Sequence, residues 1–165
     1  MHQTIDINAT LSYMADELRP SLARNPIMIG VHTGGAWVAE HLHKALGLAE
    51  PLGTLDISFY RDDFTRVGVN PQVKTSNLPT NIEDRHVILV DDVLHTGRTI
   101  RAALNEIFDY GRPASVTLAV LICRDGRELP IEAQFIGHTL KLKAHEHIKL
   151  IGPHPLQLKV QETTG

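Results

Sequence analysis

The side chains best able to do chemistry sit in residues 87–99, VILVDDVLHTGRT. Four apolar residues run directly into Asp91 and Asp92. Two adjacent carboxylates at the end of a buried strand are costly unless they meet a metal, a hydrogen-bond donor or water. Taken alone, the pair reads equally well as two exposed carboxylates opening a loop. The following residues narrow the choice. His95, Thr96, Gly97, Arg98 and Thr99 come next, and then a helical apolar period begins. Amides at a helix N-terminus point outward with partial positive charge and bind phosphate. Gly97 allows close approach of the backbone, and Thr96 and Thr99 add hydroxyl donors. The spacing is not that of a G-x-x-x-x-G-K-[ST] loop, and no G-x-G-x-x-G follows a strand. Carboxylates beside a phosphate cradle suit ribose hydroxyls and hydrated Mg²⁺. The loop therefore reads as a sugar-phosphate site with a metal nearby.

Several elements must position that loop. A helix is expected after Asn8, read as its N-cap, with Leu11, Met14, Ala15 and Leu18 on one face and Pro20 ending the pattern. Residues 27–31, IMIGV, read as a buried strand, followed by a turn at Thr33, Gly34 and Gly35. Val38, Ala39, Leu42, Ala45 and Leu46 give a second helical stripe closed by Gly47. Residues 54–60 read as a strand. Residues 61–86 carry Gly68, Pro71, Pro79 and scattered charge without a period, and a connection so long is usually functional or disordered. Val87 to Val90 is the next strand, and Ile100, Ala103, Leu104 and Ile107 mark a third helix ended by Gly111. Residues 115–122 are apolar and β-branched, with shorter strand candidates at 134–136 and 148–151. Strands alternating with helices predict an α/β fold with a mostly parallel sheet flanked by helices. Ligands of such sheets bind beyond the carboxyl ends of the strands, which singles out loops 32–35, 91–99 and 123–130.

The 165 residues fit one domain, 1–165, and 42% hydrophobic against 21% charged residues excludes disorder as the main state. No apolar run is long enough for a membrane span. The first residues lack a basic and an apolar export region, and the single Cys123 suits a reducing cytoplasm. A net charge of −3 gives no global attraction to nucleic acid.

The motif at 87–99 closely resembles the phosphoribosyl-pyrophosphate (PRPP) signature of type I phosphoribosyltransferases. The resemblance extends from about Leu11 to Ile151. LDISFYRDD at 55–63, Arg101 to Leu104, Gly111-Arg112-Pro113 and Arg127 to Ile131 look like one subfamily, the PyrR family of pyrimidine operon attenuators that are also uracil phosphoribosyltransferases. The resemblance implies a type I fold with a small cap and conversion of PRPP and uracil to UMP and pyrophosphate with Mg²⁺. Asp91 and Asp92 would hold the ribose hydroxyls and organise the metal, through water or substrate. Residues Asp91, Asp92, Val93, Leu94, His95, Thr96, Gly97, Arg98 and Thr99 would bind the ribose and 5′-phosphate. Thr33, Gly34 and Gly35 correspond to the pyrophosphate loop. Arg61, Asp62 and Asp63 begin the arm, 61–86, that closes over PRPP. Ile122, Cys123 and Arg124, with Ile148, would serve the base and nucleotide.

The chain departs from that pattern twice. Many members carry Arg where Gly34 stands, so the contact is either absent or supplied from Arg61, Lys74 or a neighbouring subunit. Members usually have Asp-Arg-Gly-His where this chain has Cys123-Arg124-Asp125-Gly126. Regulatory members bind a messenger leader, which needs basic residues to meet phosphates. The helix after Thr33 has Lys44 as its only fixed positive charge, with Glu40 opposing it, which argues against RNA. Lys141, Lys143, His145, His147 and Lys149 read as the polar face of an edge strand. His41 and His43 cannot share a helix face, and His145 and His147 lack further ligands, so structural zinc is not expected. Family resemblance also implies a homodimer or higher oligomer, to which Trp37, Phe59 and Tyr60 are candidate contributors. Two alternatives stand beside the enzyme: a nucleotide- or PRPP-sensing regulator with little catalysis, and a transferase using another base.

Overall fold

The structure, a computed structural model, describes residues 4–57 and 76–162. Helix α1 (Ile7–Leu18) leads through a 3-10 turn (Arg19–Arg24) into β1 (Ile27–Val31). Helix α2 (Gly34–Leu46), β2 (Gly53–Leu55), β3 (His86–Leu94), α3 (Arg98–Tyr110) and β4 (Ser115–Arg124) follow, then β5 (Phe135–Leu140), β6 (Glu146–Ile151) and β7 (Gln157–Glu162). Five strands form one parallel sheet in the order β2-β1-β3-β4-β5, and β6 and β7 pair as a separate antiparallel hairpin. Among the described residues no helix is long and apolar enough to cross a membrane.

Alternation along the central strands divides the core into two layers. Ile27, Ile29, Val87, Leu89, Leu118 and Val120 join Ile100, Ala103 and Ile107 of α3. Met28, Ile88, Val90, Ala119 and Leu121 join Leu11, Met14 and Leu18 of α1 and Val38, Ala39 and Leu42 of α2. Both faces of the sheet are thus covered, as the continuous apolar strands require. Gly30 makes the fit of α2 possible: a Cβ there would lie 2.8 Å from Ala36 Cα and 2.8 Å from Ala39 Cβ. Leu150 and half-buried Ile148 of β6 extend the second layer, so the hairpin is the small cap near the C-terminus.

Several boundaries differ from the sequence reading. The cap of α1 is Asp6, not Asn8: the Ala9 amide donates to the Asp6 carboxylate at 3.0 Å, and Asn8 falls inside the first turn. Gly34 and Gly35 open α2 instead of forming a separate turn. Strand β3 runs to Leu94, so the acidic pair lies within the strand and the free loop is 95–97. Residues 141–145 are not strand, which removes the expected continuous polar edge, while β7 has no counterpart in the sequence reading. Arg61, Asp62, Asp63 and Lys74, with Phe59 and Tyr60, lie outside the described residues. The described part of 61–86 is tied to the body. Asn77 exchanges two 2.8 Å backbone bonds with Thr54 on the outer edge of β2, and Ile82 is buried against the α3 layer.

Candidate active site

In this strand order β1 and β3 are neighbours, but their connections leave in opposite directions: β1 passes through α2 to β2, and β3 passes through α3 to β4. Such a switch point opens a crevice at the carboxyl ends of the two strands. The Thr33–Gly35 segment follows β1, and the acidic pair ends β3. They meet there. A Cβ on Gly34 would lie 2.2 Å from Asp92 Oδ2, and one on Gly35 would lie 2.8 Å from the Val90 carbonyl and 2.9 Å from Asp91 Oδ1. The absence of a side chain at 34 is therefore what lets the first turn of α2 reach Asp92. The amides of that first turn have no intrahelical acceptors and give this corner a positive end beside the carboxylates.

Pairing of β3 with β1 stops at Gly30 and Val90, one residue before the acidic pair. The carboxylates then hold their own following amides: Asp92 N–H donates to Asp91 Oδ1 and Val93 N–H to Asp92 Oδ1, each at 2.8 Å. Asp91 is buried and Asp92 half-buried. An all-oxygen pair suits Mg²⁺, which keeps several waters and takes one or two carboxylates together with substrate phosphates. Among the described residues no group of three or more His, Cys, Asp or Glu is placed to hold a metal ion.

Past Leu94 the chain bends over 95–97 into α3. Gly97 has φ 97°, a left-handed conformation that favours glycine, and stands as the N-cap of α3. The Thr96 hydroxyl accepts from Arg98 N–H at 3.2 Å. Thr99 and Arg98 are exposed, and Arg98 pairs with Glu128 at 2.9 Å across the surface. Side chains of Leu94 and Val93 pack into the two apolar layers, so these residues offer a ligand only main-chain groups. His95 is exposed. Its imidazole pKa is lowered, first by partial burial and then by the Arg124 guanidinium and His147, against the opposing charges of Glu128 and Asp125.

The four residues expected to serve the base and nucleotide are placed differently from one another. Ile122 is fully buried, and with half-buried Ile148 it belongs to the α1–α2 layer. Cys123 is buried in the α3 layer opposite Leu94. Arg124 is buried and anchored, donating to the Glu146 carbonyl at 3.0 Å. The Leu142 amide donates to Asp125 at 3.0 Å and holds its carboxyl below the usual range. The structure thus brings Thr33, Gly34, Gly35, Asp91 and Asp92 together and sets residues 95–99 beside the 123–131 segment. It draws the side chains of Ile122 and Ile148 into the core instead.

Sequence reading missed the residue that joins the last two segments. Arg127 donates through Nη1 to the His95 carbonyl and to the Arg124 carbonyl, the latter at 3.3 Å, and through Nη2 to Cys123 Sγ at 3.2 Å. Its sequence signals were its place in the 123–130 loop and in the 127–131 stretch that resembles the family, neither of which gave it a role. Two clefts among the described residues lie elsewhere. One of about 600 Å³ is lined by the start of α1, His41 and the β6–β7 turn, and one of about 320 Å³ lies at the amino ends of the strands. Neither holds the grouped carboxylates.

A family model described as "Phosphoribosyl transferase domain" matches residues 4–149. The chain is 58% identical over 164 residues to "Bifunctional protein PyrR" of Nitrosococcus oceani, covering 96% of this chain and 93% of that protein. It is 60% identical over 153 residues to the protein of the same name from Pseudomonas paraeruginosa, covering 90% of each. The chain belongs to the PyrR family of phosphoribosyltransferases. Among solved structures, a hypoxanthine-guanine-xanthine phosphoribosyltransferase matches with a TM-score of 0.64 at 25% identity, over 86% of this chain and 80% of that one. A Staphylococcus aureus hypoxanthine phosphoribosyltransferase shares the fold, with a TM-score of 0.64 at 18% identity over 86% and 78% of the two chains. The mostly parallel, helix-flanked sheet expected from the sequence is the PyrR and phosphoribosyltransferase fold.

Proposed function

We propose that this PyrR-family protein transfers the phosphoribosyl group of PRPP to uracil, giving UMP and pyrophosphate with Mg²⁺ as cofactor. The observation that carries the reading is the seating of Gly34 and Gly35 against Asp91 and Asp92 at the switch point. A pyrophosphate bound to the first turn of α2 would leave the attached ribose beside the carboxylates and its 5′-phosphate within reach of 95–99. Asp91 and Asp92 would hold Mg²⁺ in company with the substrate. Bound there, Mg²⁺ neutralises the charge that grows on departing pyrophosphate. The protein's own part is to orient. Asp92 accepts from the ribose hydroxyls, the α2 amides hold pyrophosphate oxygens, and the amides of 95–99 fix the 5′-phosphate. No nucleophilic side chain is required; buried Cys123 packs against the core and Arg127.

The described residues that flank 58–75 meet, with Asp56 N–H donating to Ser76 Oγ at 3.1 Å. We assign Arg61, Asp62 and Asp63 a role in covering bound PRPP. The reading also takes the protein to be a cytoplasmic homodimer or higher oligomer, with residues 1–165 forming one phosphoribosyltransferase domain. The relatives' name, "Bifunctional protein PyrR", favours a second, pyrimidine-responsive RNA-binding role, against which stand the net charge of −3 and an α2 carrying only Lys44 as a fixed cation.

The test is product formation from PRPP, Mg²⁺ and a panel of free bases, followed by chromatography. UMP from uracil is expected, and Asp92→Asn is expected to lower turnover about 10²-fold. Nucleotide from a purine alone would replace uracil with another base. No nucleotide from any base, with UMP and PRPP still bound in calorimetry, would make the protein a sensor.

A further inference from the structure

The 95–97 bend makes few contacts with itself and many with the segment beyond β4. Glu128 and Leu129 amides donate to the Thr96 carbonyl at 2.9 and 3.1 Å. Gly97 is pressed against Ile131, where an added Cβ would lie 3.1 Å from the Ile131 side chain. A ring nitrogen of His95 lies over Gly126, 2.8 Å from where a Cβ would stand. Beside the exposed Arg98–Glu128 ion pair, the Arg127 side chain grips the backbone on both margins of this seam. It holds the His95 carbonyl on one margin and the Arg124 carbonyl and Cys123 sulfur on the other. Its Nε is enclosed without a hydrogen-bond partner among the described residues, so packing and not a further bond fixes the near end of the guanidinium. A guanidinium is planar, with donors in a rigid fork, so holding three acceptors at once fixes their separation. An ammonium on a flexible stem cannot reproduce that.

We propose that Arg127 is a positioning residue that sets the distance between the 5′-phosphate subsite at 95–99 and the base subsite at 122–124. This rests on the reading under Proposed function for the phosphate end at 95–99, and on the family expectation that the backbone of 122–124 meets the base at the other. The ribose of a nucleoside monophosphate has a fixed length. A change in the gap therefore penalises a ligand that occupies both ends and leaves one that occupies a single end nearly untouched. Arg127 needs no contact with either ligand to have this effect.

The experiment is calorimetric titration of the full chain with UMP, which spans both subsites, and with ribose 5-phosphate, which occupies only the phosphate end. Wild type, Arg127→Ala and Arg127→Lys are compared, with thermal melts on the same samples. Arg127→Ala is expected to raise the UMP Kd about tenfold or more, while the ribose 5-phosphate Kd stays within about twofold. Arg127→Lys, which keeps charge and bulk, is expected to show the same split, and it carries the comparison by itself if the alanine variant does not fold. Equal weakening of both ligands would make Arg127 a general structural or electrostatic residue and overturn the proposal, as would no change in either. A wild-type chain that binds ribose 5-phosphate and not UMP would instead overturn the uracil reading beneath it.

Discussion

Asp92 illustrates how little room the site leaves at the scale of single residues. Its Oδ1 is committed to the Val93 amide, and its Oδ2 faces the space where Gly34 has no side chain. Gly34→Ala would force a methyl to within 2.2 Å of that oxygen, so the carboxylate would have to rotate away from the crevice. Turnover is expected to fall by ~10-fold or more, with little loss of thermal stability; steady-state kinetics beside a melt checks both. Full activity in that variant would mean that Asp92 does not depend on the α2 approach. His95 gives a pH prediction. Its folded-state pKa lies below the ordinary 6.5, so below pH 6.5 an unfolded chain takes a proton that the folded one refuses, and stability falls there as pH drops. A bound phosphate dianion reverses the sign by favouring the imidazolium. PRPP binding below pH 6.5 is therefore expected to take up protons, and His95→Gln should reduce the uptake; calorimetry in buffers of different ionisation enthalpy measures it. The acidic pair and the 95–99 loop stood out in the sequence because their residue types carry chemistry. Arg127 did not, since its value comes from acceptors on 95 and 124 that only the fold brings to it.

Among the elements, the strand–helix alternation was readable because apolar periodicity and burial agree in β1, α2, β3, α3 and β4. The errors fall where a side chain competes with its neighbour. Asp6 outdoes Asn8 as cap because the Asp6 carboxylate reaches the third-residue amide while Ile7 enters the helix. The acidic pair continues β3 because β4 still pairs beyond it, opposite Val120 and Ile122, information absent from the local sequence. β7 escaped notice because QLKVQE is polar at its outward positions and follows two prolines. Close packing between elements is seen where β1 lies on α2 at Gly30. Gly30→Val is expected to cost about 1–3 kcal/mol by overpacking against Ala36 and Ala39, each kcal/mol lowering Tm by about 2–4 °C. Calorimetric melting measures it, and an unchanged Tm would mean that α2 can move outward freely. Because α2 also carries Gly34, such a shift would appear as weaker catalysis as well.

At the scale of the whole molecule, the site is distributed over a single end of one parallel sheet. Its two halves come from β1 and β3, which are adjacent in space but separated in sequence by β2 and the long connection after it. The purely local signals that made the fold readable could not show this adjacency; the switch-point rule named loops 32–35 and 91–99, and the pairing of Ile27 to Gly30 with Val87 to Val90 brings them together. That arrangement bears on how the protein acquires activity. Closing a loop of this length is slow compared with forming α2 or α3 alone, so contacts between Gly34 and Asp92 belong to a late event in folding. Helical signal after dilution from denaturant should therefore recover ahead of nucleotide formation, and stopped-flow circular dichroism run beside a quenched activity assay would register the lag. Coincident recovery would mean that the central pairing forms together with the helices. A chain with such a lag passes through a stage in which its helices are in place and Asp91 and Asp92 still lack the α2 turn beside them, leaving a nascent molecule that is structured but inert.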